Sequence, residues 1–254
     1  NRCWRAGQVA KRRRNTKMHP AFSVIIFTTL SGAGYGLFGF LSLFVLFQNS
    51  TNFTFTAIVA FISGLLATIG LLSSLFHLGH PKRAWRAFSI KAIPAWANHY
   101  VPINYILLAA ASGVIIFNAI GYTFNALNDH ALVPVWNINI ITGILIACTA
   151  AKLLYWRHID TFIPPETIQS ATGLKGKVKM FERPHSGENY LTKEMGYRTA
   201  RKTALQRRAL ALLLGFVVPA LMLPSASITE NLIAIISCIT GLIFERWLFF
   251  AEAR

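Results

Sequence analysis

Charged positions are confined to a few stretches of this chain, and the apolar runs between them are long. From Met18 to Pro81 there is no Asp, Glu, Lys or Arg, and one polar break, QNSTNFT at 48–54, divides that stretch into runs at about 19–47 and 55–78. A helix needs about 20 residues to cross ~30 Å of hydrocarbon, so each run predicts one membrane span. Runs at about 102–122, 132–155, 209–223 and 229–250 predict four more. The expected fold is all-α, a polytopic transmembrane helix bundle of six spans. Short polar links such as NALNDH at 125–130, and Pro224 after the fifth run, separate consecutive spans. The link at 156–208 is long, basic and rich in Pro and Gly, including Pro164, Pro165, Gly173, Pro184 and Gly187. It reads as a loop, with helix resuming from about Glu194. In IKAIPAWANHYV at 90–101, Pro94 opposes a continuous helix, while Trp96, His99 and Tyr100 suit a membrane interface.

Composition agrees with this pattern. Hydrophobic residues make up 54% and charged residues 13%, with a mean hydropathy of +0.47, whereas soluble domains carry about 25% charged residues. The net charge of +16 would suit nucleic acid only if the cations were spread over a polar domain. Here they stand in blocks between uncharged runs, so they report topology, and no nucleic-acid partner is expected. With six spans, the blocks at the N-terminus, at 82–100, at 152–208 and at the C-terminus share one side and hold seven, four, twelve and two Lys and Arg, all 25 in the chain. The positive-inside rule makes that side cytoplasmic and puts both termini there. The expected location is a bacterial inner membrane, crossed several times.

Residues 1–17 hold seven of these cations and no acid. They read as an extension upstream of a natural start at Met18, leaving 18–254 as a single transmembrane domain with a loop at 156–208. A signal peptide is disfavoured, because the apolar run that follows far exceeds a signal core of about 7–15 residues.

Few chemistries remain open. No phosphate-binding loop, HExxH or nucleophile elbow is present. Cys3, Cys148 and Cys238 lack metal-ligand spacing, and no bound metal is expected. The seven histidines, His19, His77, His80, His99, His130, His158 and His185, fall at helix ends or in links, which argues against a haem held between facing helices. A carrier would show an ionisable group near the midplane or internal repeats, and neither stands out. Gly32, Gly36 and Gly39 leave one face of the first span nearly bare, which suits close approach of a neighbouring helix. Tyr35 on an adjacent face is available to a ligand.

The second span runs into FHLGHPKRAWRAF at 76–88, where His77, Gly79, His80, Lys82, Arg83 and Arg86 crowd one membrane face. A quinone needs lipid access together with hydrogen-bonding and proton-exchanging groups at headgroup depth. An imidazole titrating near 6.5 meets that need at His77. A helix C-cap or a snorkelling side chain would occupy the same position, so chemistry alone leaves both readings open.

HPAFSVIIFTTLSGAGYG after Met18, SSLFHLGHPKRAW, IKAIPAW, and RPHSGENYLTKEMGYRTARK at 183–202 together resemble the membrane-anchor subunit of the dimethyl sulfoxide reductase family. The similarity is greater to anchors of cytoplasmic sulfite-oxidising molybdoenzyme complexes. It implies a non-catalytic anchor that binds a quinone, menaquinone or ubiquinone, carries no haem or metal, and docks an iron-sulfur subunit serving a molybdopterin catalytic subunit. On that resemblance His77, Gly79 and Arg83 are quinone-site residues, joined by Tyr35 on position alone. Trp85 and Arg86, with His185, Glu188, Asn189 and Tyr190 of the long loop, face the partner. The resemblance also implies about two further spans after Ser89 and an acidic residue near the quinone. Here Ser89 passes directly to Ile90, so six spans stand where eight are implied, and no nearby acid replaces the missing one.

Overall fold

The computed structural model describes residues 20–48, 52–75, 98–128, 133–161, 172–173, 197–223 and 227–252. These form α1 (Pro20–Phe47), α2 (Phe53–Leu75), α3 (Tyr100–Leu127), α4 (Ile138–Thr161), α5 (Tyr197–Leu212), a π-helical turn (Leu213–Val217), α6 (Val218–Met222) and α7 (Ile228–Ala251). Among the described residues six helical segments are long and apolar enough to cross a membrane, with α5, the π turn and α6 together making the fifth. The fold class and span count read from the apolar runs are those observed. The long loop is shorter than 156–208, because α4 continues to Thr161 and α5 begins at Tyr197.

Close backbone approach sets the packing. Gly34 of α1 lies against Ser63 and Ala67 of α2, and Gly70 of α2 lies against Ser31, which makes the two helices antiparallel. Gly36 meets Ala109 and Gly113 of α3, and a Cβ on either glycine would overlap the facing backbone. Small residues permit this approach, and dispersion between the backbones rewards it in lipid. The expected Gly32, Gly36 and Gly39 face is therefore corrected. Of the three, Gly36 lies against a facing backbone, while a Cβ on Gly32 or Gly39 would meet nothing within 4 Å among the described residues. Helical periodicity put the three in one group, but the curved surface of a single neighbour touches only one of them.

α3 is the central helix, packed by α1, α4 and α7. A ring cluster of Phe44, Phe55, Phe117 and Phe124 joins α1, α2 and α3. Before α4, residues 133–137 are not helical, so α4 starts later than the run at 132–155 suggested. Two asparagines of α3 hold this segment. Asn118 donates to the Trp136 carbonyl at 2.7 Å and accepts from the Trp136 N–H at 3.0 Å. Asn125 does the same with Val133 at 2.9 and 2.7 Å. Non-helical backbone can sit within the depth of a bundle only when its polar groups are satisfied in this way.

The π turn has a local cause as well. Pro219 has no N–H to offer the carbonyl one helical turn before it, so the preceding turn widens, and the Val218 N–H reaches back to the Leu213 carbonyl. Ser237 of α7 donates to the freed Leu214 carbonyl at 2.7 Å, and Gly215 and Gly241 bring the two backbones together there.

Candidate functional site

At one end of the bundle the start of α3 and the ends of α4 and α7 converge with α5. Two layers of charge lie there. In the inner layer Lys152 of α4 pairs with Glu245 of α7, their side chains 2% and 4% exposed. Glu245 also faces the Nε of the adjacent Arg246 at 3.1 Å. The Arg246 guanidinium lies over the Tyr105 ring of α3, 3.9 Å from its centroid, and Lys152 lies 4.4 Å from the centroid of Tyr155. This layer holds two cations and one anion.

About two turns nearer the helix ends, the outer layer has the opposite balance. Arg208 of α5 donates to both carboxylate oxygens of Asp160 at 2.6 and 3.0 Å, and to both of Glu252 at 2.9 and 3.1 Å. One side chain thus ties α4, α5 and the end of α7 together. Burial pushes the Glu252 carboxyl above the usual carboxylate range, against the opposing pull of Arg208. His99, Tyr100 and His158 group at the same end, with His99 to Tyr100 centroids 4.2 Å apart and Tyr100 to His158 5.3 Å apart.

Ionisable side chains inside a membrane bundle are costly and mark functional positions. Sequence reasoning missed this cluster. It reads Lys152 as a topology-setting cation at the end of the fourth span and Glu245 and Arg246 as lying near the end of the sixth, without bringing the three together. The structure brings the three together: Lys152, Glu245 and Arg246 lie within α4 and α7 and are buried. Lys152, Glu245 and Arg246, in otherwise largely apolar runs, were the available signal.

Beside this cluster is a small cavity of about 20 Å³ between α1, α3 and α7, room for about one water molecule. Thr28, Thr29, Gly32, Tyr105, Ser112 and Arg246 line it, over a floor that includes Ala33, Leu108 and Leu242. The Thr29 hydroxyl is buried and has no hydrogen-bond partner. Ser73 of α2 donates to the Ser23 carbonyl at 3.2 Å, so Thr28 and Thr29 stand opposite the last turns of α2.

Of the quinone-site and docking residues expected from sequence, Tyr35 alone is described. It lies outward on α1, 56% exposed, one residue beyond the level at which Gly34 meets Ala67. That places it about 13 Å along the axis from the end of α2, and it is not among the residues that line the cavity. His77, Gly79, Arg83, Trp85, Arg86, His185, Glu188, Asn189 and Tyr190 lie outside the described residues. Cys148 and Cys238 are free and buried, as their apolar settings suggested. Among the described residues no group of His, Cys, Asp and Glu is arranged to hold a metal.

Residues 15–89 match the family model of the DMSO reductase anchor subunit, DmsC. The resemblance to that anchor subunit holds. The chain is also 25% identical to a subunit of the sulfite dehydrogenase of Allochromatium vinosum, over 93% of this chain and 97% of that protein. That alignment runs over 319 positions, more than the 254 residues present here, so this relative of the anchor-like chain carries segments that have no counterpart in it. The family match ends at residue 89, where the resemblance implied further spans. No solved structure matches the chain.

Proposed function

We propose that the chain is the membrane anchor of a molybdopterin oxidoreductase complex. In this reading it binds quinone or quinol and passes electrons between the quinone pool and a docked iron-sulfur subunit. The observation that carries the reading is the family match over residues 15–89, which contains HLGHPKRAW and continues into a six-span bundle. His77, Gly79 and Arg83 form the quinone corner, Trp85, Arg86 and the 183–202 loop face the soluble partner, and the anchor itself carries no metal or haem. The relative's description as part of a sulfite dehydrogenase favours a sulfite-oxidising partner.

The basic end faces the cytoplasm of a bacterial inner membrane. The ends joined by 48–52, 128–137 and 223–227 contain no Lys or Arg, and the positive-inside rule puts those ends outside. The test is co-purification with an iron-sulfur and a molybdopterin subunit, together with quinol-analogue binding to membranes holding the wild type or His77→Ala. Loss of binding in the variant supports the corner. Equal binding removes His77 from the site, and isolation without such partners defeats the anchor reading. A structural anchor with no quinone site is favoured by the direct passage from Ser89 to Ile90, and absence of binding to the wild type would establish it.

A further inference from the structure

We infer that the cavity between α1, α3 and α7 is a binding site for one ordered water molecule, held by Thr29 and Arg246 and bridging α1 to the inner charged layer. The assignment goes beyond the quinone reading and does not depend on where a quinone binds.

Three observations carry it. The first is size. At about 20 Å³ the cavity exceeds the ~10–15 Å³ that a water molecule needs, and it has no room for a larger ligand. The second is the polarity of the walls. Apolar cavities stay dry, whereas a water is retained where about 2–4 polar partners surround it. Here Thr28, Thr29, Ser112 and Arg246 share the wall with Ala33, Leu108 and Leu242. The third is the Thr29 hydroxyl, which has no hydrogen-bond partner although the residue is only 4% exposed. Leaving a buried hydroxyl orphaned is costly, and a water satisfies it without moving any protein group.

Donors and acceptors around the cavity balance for one water. The Thr28 and Ser112 hydroxyls already donate to the carbonyls of Val24 and Leu108, each at 2.9 Å, so each has only lone pairs left to offer. Arginine presents five N–H groups and no acceptor. The Nε of Arg246 faces Glu245 at 3.1 Å and its side chain hydrogen-bonds to Tyr105, which together occupy only part of the fork. A water that accepts from Arg246 and Thr29 and donates to the oxygens of Thr28 and Ser112 uses all four of its positions.

Such a water joins α1, the close partner of α2, to Arg246, and through Arg246 to the Glu245–Lys152 pair. The α1–α2 pair and the charged end of α7 are then held by a shared polar link as well as by packing.

The experiment is X-ray radiolytic labelling of the full-length protein in its own membranes, read by mass spectrometry. Radicals formed from a bound water oxidise the side chains beside it, while buried side chains away from water stay unmodified. Label is expected at Tyr105, Leu108 and Leu242 in the wild type and in Thr29→Ser, which keeps the hydroxyl. Leu37 and Phe117, fully buried and outside the cavity wall, are expected to carry none. Thr29→Val keeps the side-chain shape, removes only the hydroxyl, and is expected to lose the label at Leu108 and Leu242. Absence of label at all three wild-type positions overturns the site, and so does undiminished label in Thr29→Val. Label at Leu37 and Phe117 as strong as that at Leu242 also overturns it, because bulk water would then be reaching the whole core. Should Thr29→Val fail to accumulate, the wild-type contrast between Leu242 and Leu37 decides alone. Every outcome leaves the quinone corner at His77 as it stands.

Discussion

Lys152 and Glu245 face each other from α4 and α7, 93 residues apart in sequence, and form an ion pair inside the bundle. Breaking a buried pair from one side is strongly destabilising, about 3–5 kcal/mol, because a charge is left without compensation. The two sides are unequal here. Lys152→Ala leaves Glu245 beside Arg246, whereas Glu245→Ala leaves two buried cations together. Melting in detergent is expected to rank wild type above Lys152→Ala and Lys152→Ala above Glu245→Ala. The apolar double variant Lys152→Met/Glu245→Leu should recover much of the loss.

The contact of Gly36 with Ala109 and Gly113 predicts a contrast within α1. Gly36→Ala would force α1 and α3 apart, at several kcal/mol by the general cost of overpacking. Gly39→Ala meets open space and is expected to leave the melting temperature within about 2 °C of wild type, or to raise it slightly through helix propensity. Equal effects at the two positions would contradict the packing described.

Asn118 satisfies both backbone groups of Trp136. In Asn118→Leu that N–H and carbonyl lose their partners, and each buried orphan costs about 1–3 kcal/mol. Faster hydrogen exchange at residues 133–137 and a changed Trp136 environment are expected, measured by exchange mass spectrometry and indole fluorescence. Asn125→Leu should produce the same change at the Val133 end.

Glu252 predicts a pH dependence of definite sign. Its carboxyl sits above the usual range in the folded protein because burial disfavours the charge. A group whose pKa rises on folding contributes stability that is fully present below the unfolded value, about 4.3 for Glu. That contribution is lost as pH rises through the folded value. Glu252→Gln should therefore flatten a decline in melting temperature that begins at about pH 4, and an identical profile in both proteins would remove Glu252 as its source.

The spans were legible because lipid imposes one rule on every residue of a crossing helix, and the run from Met18 to Pro81 carries no charge to obscure it. The loss of helix at 133–137 was less visible. Val, Trp and Pro there read as apolar, and although Pro134 opposes a helix locally, the asparagines that hold the non-helical backbone stand a helix away. The buried charges were hidden because the apolar runs end a few residues beyond Lys152 and Arg246, where Lys and Arg ordinarily mark a membrane face. Telling Lys152 from such a residue requires knowing that Glu245 stands opposite, and no local pattern encodes a partner 93 positions away. The pocket was equally silent, since it is made from small side chains on three helices and only Arg246 and Tyr105 among its walls are conspicuous.

The asparagine-held segment before α4 also bears on how the protein is made. Asn118 and Asn125 emerge from the ribosome before the backbone that satisfies them, and a lone α3 would expose both amides to hydrocarbon at a cost of several kcal/mol. α3 is therefore a poor passenger by itself. Insertion together with its successor, as a helical hairpin, would spare both amides that exposure.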